Sequence, residues 1–268
     1  MEMSTKHVII YCVNYNSYDC LHNYLLSIDN AAKEAIHSVD VQVVVADNSA
    51  PVIPTAYTPD NFSLHVFPTG QNRGYFGAVR YAMGKIQPTD YDYTIISNVD
   101  LTLTKDFFTS LTNRQTEKDT GWIAPAILSK THHIDFNPQA INRYSPRKMR
   151  LLRLMFRYPL LMKLKRKLLH HINEIKDCKP GQIYAGHGSL IILTKEFIKR
   201  CGIIDYPVFL FGEEIFLAEL CRKNGMKVIY DPDIIVNDIG SVSTSKILKP
   251  QFCRHNYEAI DYLIKTFY

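Results

Sequence analysis

Short apolar runs alternate along the chain with longer stretches whose apolar residues recur at helical spacing. HVIIYCVN (7–14) is continuous, apolar and bounded by polar residues, the pattern of a strand buried on both faces. Over 19–30, Leu21, Tyr24, Leu25 and Ile28 share one face of a predicted helix. VQVVVADN (41–48), SLHVFP (63–68) and YTIISNVD (93–100) predict three further strands, with helices over 74–85 and 105–115. GWIAPAIL (121–128) is a weaker strand in which Pro125 argues for an edge or a bend. HGSLIILTK (187–195) and MKVIYDP (226–232) are also strand-like, with helices over 195–201 and from the FGEE turn to about 223. The tail over 250–268 places Phe252, Tyr257, Ile260, Leu263, Ile264 and Phe267 at the spacing of a closing amphipathic helix.

This alternation predicts an α/β fold with a mostly parallel central sheet and helices on both faces. Ligands bind such sheets at the carboxyl ends of the strands. Here those ends carry Asn14, Asp47, Asn48 and Asp100, which marks that edge as a candidate site.

Composition narrows the picture. At 268 residues, with 46% hydrophobic and 21% charged residues, the chain is ordinary for a globular protein with a substantial core. It shows no repeat, low-complexity tract or flexible linker. The expectation is one domain over 1–268, with an insertion at about 137–182 and a closing helix at about 250–268. The N-terminal apolar stretch of about seven residues is too short for a signal-peptide core, and no run approaches the roughly 20 residues of a membrane span. The six cysteines are scattered without metal-ligand spacing and read as reduced thiols of a cytosolic protein. The net charge of +5 is local. Between 136 and 173 lie ten Lys or Arg and no Asp or Glu; without those ten, 21 basic residues face 26 acidic ones.

Two nucleotide-binding signatures are absent. The stretch after the first strand, NYNSYDC, lacks the glycines of a dinucleotide fingerprint, and there is no P-loop. A bound nucleotide would need its phosphates neutralised otherwise, and a divalent metal held by carboxylates is the natural candidate. Asp100, ending SNVD, suits that role chemically, since Mg2+ or Mn2+ takes one or two protein carboxylates plus phosphate oxygens and waters. The plainer reading is an Asp that caps the following loop. The adjacent Glu213 and Glu214 likewise admit three readings: acids opposing a helix dipole, a metal site, or a catalytic base.

Taken in order, VNYN, ADNSA, NRGYFGA, SNVD, GHGSLIILTKEFIKRCGIID, VFLFGEEIFLAELCRKNGMKVIYDP and NDIGSVS resemble the family 2 glycosyltransferases of GT-A fold. Within them the chain is most similar to the bacterial rhamnosyltransferase and galactofuranosyltransferase-like branch. The resemblance spans about 8–243, leaving 137–182 outside. It implies a GT-A-type, Rossmann-like fold and a nucleotide-sugar donor. By resemblance Asn14 and Asp47 belong to the donor side, with Asp47 meeting the base or ribose. Asn72, Arg73 and Gly74 form the turn beside the nucleotide, where Arg73 or Arg80 adds charge. Asn98 replaces the first acid of a DxD-type motif, and Asp100 matches its metal-binding last acid. Gly188 lines the acceptor side. Glu213 and Glu214 match the Glu-Asp pair whose second member is the general base, which implies Glu214 as base and Glu213 as a holder of the turn or of an acceptor hydroxyl.

Three departures from the family pattern qualify this. Glu stands at 214 for Asp, extending the reach by a methylene. Phe216 replaces a frequent acid, a loss of polarity. Asp238 stands where relatives often have a metal-binding His; it suits Mg2+ or Mn2+, or simply caps a Gly/Ser loop. The basic stretch over 143–171 mixes cations with Leu, Met and Phe at helical spacing. It reads either as helices lying on an anionic membrane or as a hairpin or loop on the core; nucleic acid fits less well. The expected setting is the cytoplasmic face of an inner membrane, with a glycan or lipid-linked glycan as acceptor. A sugar nucleotidyltransferase or an inactive membrane-peripheral scaffold are the alternatives.

Overall fold

The computed structural model describes residues 5–54, 57–131, 133–158, 178–240 and 249–268. Its frame is a nine-stranded sheet. Strands β1 (Lys6–Asn14), β2 (Val39–Asp47), β3 (Ser63–Pro68) and β4 (Tyr93–Asn98) form a parallel array in the order β3-β2-β1-β4. The sheet continues through β8 (Leu190–Thr194), antiparallel to β4, and β6 (Thr120–Ser129), antiparallel to β8. Parallel to β6 lies β9 (Lys227–Asp238), which pairs antiparallel with β5 (Leu101–Leu103) and β7 (Gly181–Ile183). Six of the nine strands therefore run in one direction.

The period-2 geometry of a strand explains why both faces are covered. In β1, Ile9 and Tyr11 enter one apolar core while Val8, Ile10 and Cys12 enter the other. Helices α1 (Tyr18–Glu34) and α3 (Phe107–Thr112) cover the second core. The first is covered by α2 (Tyr75–Met83), α4 (Pro146–Arg157), α5 (Lys195–Cys201), α6 (Glu213–Lys223) and α7 (Lys249–Phe267). Each fully buried Ile, Leu or Phe in these layers contributes roughly 1.5–3 kcal/mol.

One sequence alternative is decided and one expectation is corrected: at Pro125 the bend holds and the edge does not. The strand around Pro125 is interior, between β8 and β9; the register with β9 jumps between Pro125 and Ala126, so the proline's missing N–H falls where the ladder breaks. The strand expected to run on to Asp100 stops at Asn98. Val99 and Asp100 break it, and β5 then leaves β4 to join β9. The other helices and strands fall within a few residues of expectation, with α3 shorter than 105–115 and β9 running on to Asp238.

The 137–182 stretch is not a simple appendage. Its first residues are tied into the fold: Ala140 bridges Ala185, and the buried Asn137 donates to the Pro125 carbonyl at 2.7 Å. α4 starts at Ser145, whose hydroxyl accepts from Lys148 N, with Pro146 in the first turn. Its inner face packs on α7 through the Arg153–Asp261 ion pair at 2.9 Å and Phe156 against Phe252. The remaining cations Lys163, Lys165, Arg166 and Lys167 lie outside the described residues.

Candidate active site

The parallel register aligns the polar strand ends. Asn14 is level with Asp47, and Val13 with Asn98, so these side chains neighbour one another along one edge of the sheet. Asp47 is buried, and both its carboxylate oxygens are engaged. Oδ1 accepts from Asn14 Nδ2 (3.1 Å) and Ser49 N (3.0 Å), and Oδ2 accepts from the Tyr18 hydroxyl (2.9 Å). Asp47 thus fastens β1, α1 and the loop after β2. Asn48 is equally buried and joins the next turn, donating to Gly74 O and accepting from Thr69 Oγ1, each at 2.9 Å.

In that turn the exposed Asn72 accepts from Gly74 N at 2.9 Å. Gly74 has φ +74, and a Cβ there would stand 1.8 Å from the Phe209 carbonyl oxygen, so only glycine fits. Arg73 turns back on its own loop, donating to Thr69 O at 3.1 Å with its guanidinium 4.7 Å above the Tyr81 ring. Arg80 is exposed and pairs with Asp205. Neither arginine is held by an acid of the strand-end cluster.

The break after β4 brings two distant acids together. Leu101 opposes Asp238 across the β5–β9 ladder, and Ile239 N donates to Asp100 O at 3.2 Å. Both Asp100 and Asp238 are buried, and Asp238 Oδ1 accepts from Gly240 N at 2.8 Å. Among the described residues no three His, Cys, Asp or Glu side chains gather as a ligand cage. Two carboxylates at an open strand edge suit a hard divalent ion that keeps waters and substrate oxygens. Residues 241–248, including the end of the NDIGSVS motif, lie outside the described residues.

The FGEE turn owes its shape to two successive left-handed residues, Phe211 (φ 72) and Gly212 (φ 82). The Tyr206 hydroxyl donates to Phe211 O at 2.7 Å, and Gly212 packs so closely that a Cβ would stand 2.7 Å from the Tyr206 oxygen. A non-glycine residue at positive φ costs on the order of 1–3 kcal/mol, so Phe211 is held there by its surroundings. The turn sends the two glutamates different ways. Glu213 is buried, and its Oε1 has no hydrogen-bond partner among the described residues. Burial, and then the charge of Glu214, push its carboxyl up to about 8 against the pull of the Phe211 and Glu213 backbone N–H groups. Glu214 is partly exposed, with its carboxylate against Gly188: a Cβ there would stand 2.8 Å from Glu214 Oε1. The helix dipole is therefore not the dominant influence on this pair. Burial separates the two acids, and the member it raises is Glu213.

Several residues that the motifs did not single out complete the site. The Tyr75 hydroxyl donates to Gly188 O at 3.0 Å, and Tyr75 feels the charges of Glu213, Glu214 and Asp100. His187 is fixed by Asn137 Oδ1 on its backbone N (2.7 Å) and by Ser189 Oγ on Nδ1 (2.9 Å), with its ring stacked on Phe136. Burial lowers its pKa, opposed by the nearby charges of Glu214, Asp238 and Asp135. Tyr144, just before α4, also feels Glu214. Phe136 precedes and Asn137 opens the expected insertion, and nothing in their local pattern signals these contacts. Phe216 belongs to the core, packed on Tyr206, Tyr262 and Phe267. Apolar packing under α7 explains why no acid stands there.

No family model and no curated protein sequence matches the chain. Solved structures do. The mannosyltransferase PcManGT from Pyrobaculum calidifontis, in complex with GDP-Man and Mn2+, is 15% identical with a TM-score of 0.57, covering 91% of this chain and 59% of that one. GalNAc-T7 with UDP, GalNAc and Mn2+ is 13% identical with a TM-score of 0.55, covering 89% and 44%. S. aureus TarS 1-349 is 10% identical with a TM-score of 0.54, covering 88% and 60%. The chain spans less than two thirds of each of those chains. At such identities the likeness speaks for architecture. The chain has the GT-A-type α/β fold of nucleotide-sugar transferases.

Proposed function

We propose that the protein is an inverting, metal-dependent glycosyltransferase of family 2 type, in the rhamnosyltransferase or galactofuranosyltransferase-like branch. It moves a sugar from a nucleoside-diphosphate donor to a glycan or lipid-linked glycan hydroxyl. The observation that carries this reading is the position of Tyr75: bonded to Gly188, it lies within electrostatic reach of Glu213, Glu214 and Asp100. The Glu214 carboxylate lies against the same Gly188 that Tyr75 bonds, which ties the proposed base to that strand start.

In the reaction, Glu214 accepts the proton of the acceptor hydroxyl as that oxygen bonds the anomeric carbon from the face opposite the leaving group. The bond from that carbon to the diphosphate oxygen breaks, and its electron pair leaves with the nucleotide. Asp100 and Asp238 are the residues to hold Mg2+ or Mn2+, which when bound neutralises the diphosphate. Asn14, Asn98 and the turn of Asn72, Arg73 and Gly74 bound the donor pocket, behind which Asp47 braces the strand ends. Burial raises the Glu213 carboxyl to about 8, so it holds its proton at neutral pH and is not the base. We further read the chain as one domain with a basic insertion, working in bacterial surface polysaccharide synthesis on the cytoplasmic face of the inner membrane. Its concentrated positive charge supports that setting.

The test is a panel of nucleotide sugars with Mn2+, reading release of UDP, GDP or dTDP. The expected result is release from one donor class. Glu214→Gln should lower it by about 10²–10⁴-fold with donor binding kept, and Asp100→Asn should weaken Mn2+-dependent donor binding. Donor binding without turnover under every condition would instead fit an inactive relative.

A further inference from the structure

We propose that the outward face of α4 is a docking surface for an anionic phospholipid bilayer. This deepens the peripheral-membrane part of the reading above by naming the face, and it rests on the transferase reading only for what docking would serve.

The two faces of α4 differ sharply. Met149, Leu152, Arg153 and Phe156 turn inward, where Met149 is fully buried and Arg153 and Phe156 meet α7. At 100° per residue, Arg147, Arg150, Leu151, Leu154 and Tyr158 fall on the opposite side. All five are exposed; Leu151, Leu154 and Tyr158 keep 53%, 47% and 51% of their surface in solvent, although leucines on a charged helix normally turn inward. Arg147 and Arg150 have no ion-pair partner among the described residues, while Arg143 and Arg153 are each paired with a buried or half-buried acid.

A row of leucines flanked by unpaired arginines, on a helix whose other side is already occupied, needs a partner that is apolar and anionic at once. A lipid leaflet with acidic headgroups meets both demands, with the leucines entering the acyl boundary and the arginines at the phosphates. The same sequence neighbourhood holds ten cations and no acid from 136 to 173. A nucleic-acid backbone would satisfy the arginines but leave the leucines in water. No described helix is long and apolar enough to cross a membrane, which leaves lying on the surface as the mode for this helix. The start of α4 also adjoins the site: Tyr144, two residues before Pro146, feels the charge of Glu214.

The experiment is vesicle flotation of the full chain, without donor, on phosphatidylcholine alone or mixed with phosphatidylglycerol. The expected result is binding only to the mixed vesicles, released by salt. Each arginine removed should lower partition about five-fold, so Arg147→Gln with Arg150→Gln lowers it about 30-fold. Leu151→Gln with Leu154→Gln should weaken binding as well, which a purely electrostatic contact would not show. Either pair serves alone if the other fails to fold, as judged by circular dichroism. Equal binding to neutral vesicles, binding unchanged by the variants, or preference for added duplex DNA over vesicles would overturn the proposal. Failure of the unaltered chain to dock, with its nucleotide release intact, counts against this inference alone. Docking without any donor binding counts against the transferase reading alone.

Discussion

Replacing Glu213 by Gln should make the protein more stable at neutral and alkaline pH. The folded protein holds the Glu213 proton up to about pH 8, whereas the ordinary value is 4.5. Between those values the native state carries a proton that the unfolded chain has released. Stability is therefore fully present below pH 4.5 and is lost as pH rises, at about 1.4 kcal/mol per pH unit, until Glu213 ionises in the folded state. At pH 7 the loss is on the order of 3 kcal/mol. A glutamine of the same shape carries no such term. Urea unfolding of both proteins from about pH 5 to about pH 9 measures it. The two midpoints should nearly coincide at the acid end and separate as pH rises, with the variant ahead. Parallel curves would refute the reasoning, because they would mean that Glu213 ionises as easily when folded as when unfolded. Turnover supplies a second contrast: Glu213→Gln keeps most of its activity at neutral pH, where Glu214→Gln does not.

Three further outcomes follow from close contacts. Gly188→Ala puts a methyl 2.8 Å from Glu214 Oε1, the mobile end of a side chain; it should fold normally yet lose about 10²-fold in kcat by misplacing that carboxylate, as steady-state nucleotide release would show. Gly74→Ala combines a positive φ with a 1.8 Å approach to a backbone oxygen, and should cost about 3 kcal/mol or more in urea unfolding. Arg143→Ala strips the fully buried Glu219 of a two-point partner at 2.6 and 3.2 Å, leaving Tyr184 and Arg222, and should cost about 3 kcal/mol by the same measurement. Burial opposes ionisation of Glu219, but its bonds to Arg143, Tyr184 and Arg222 together hold it below the usual value. Its contribution is thus present above pH 4.5 and lost as pH falls through the folded value. The Arg143 variant should show a smaller loss of stability on acidification.

Local pattern was enough to locate most strands, because a run such as VQVVVAD has to be buried on both faces and its polar end has to emerge at an edge. For the same reason Asn14 and Asp47 were legible as strand-end residues, whereas the end expected at Asp100 falls at Asn98. Pairing across the chain was not legible. That the Asp238 segment runs beside the Asp100 segment depends on β5 abandoning β4 for β9, a tertiary choice with no mark in either segment. The glutamate pair shows the same limit: adjacency in sequence says nothing about which carboxyl is buried, and the positive φ of Phe211 and Gly212 decides it. Asn137 was set apart as insertion although it braces His187, since a side-chain contact fifty residues away leaves no periodic trace. Phe216, read as lost polarity, is apolar because α7 lies over it.

The segment between Tyr206 and Gly212 touches the donor-side turn at one end and the base-bearing helix at the other. Its Phe209 carbonyl rests on Gly74, and its Gly212 is closed in by Tyr206, Ala259 and Leu263. It acts as a spacer of set length between the two halves of the chemistry. On the proposed reading the donor turn and the base turn are tied together through this segment, and a longer or shorter 206–212 loop should be poorly tolerated even though much of it faces solvent. On the same reading, changes of acceptor would fall to the loop that carries Phe136 and Asn137 and to the helix that follows it.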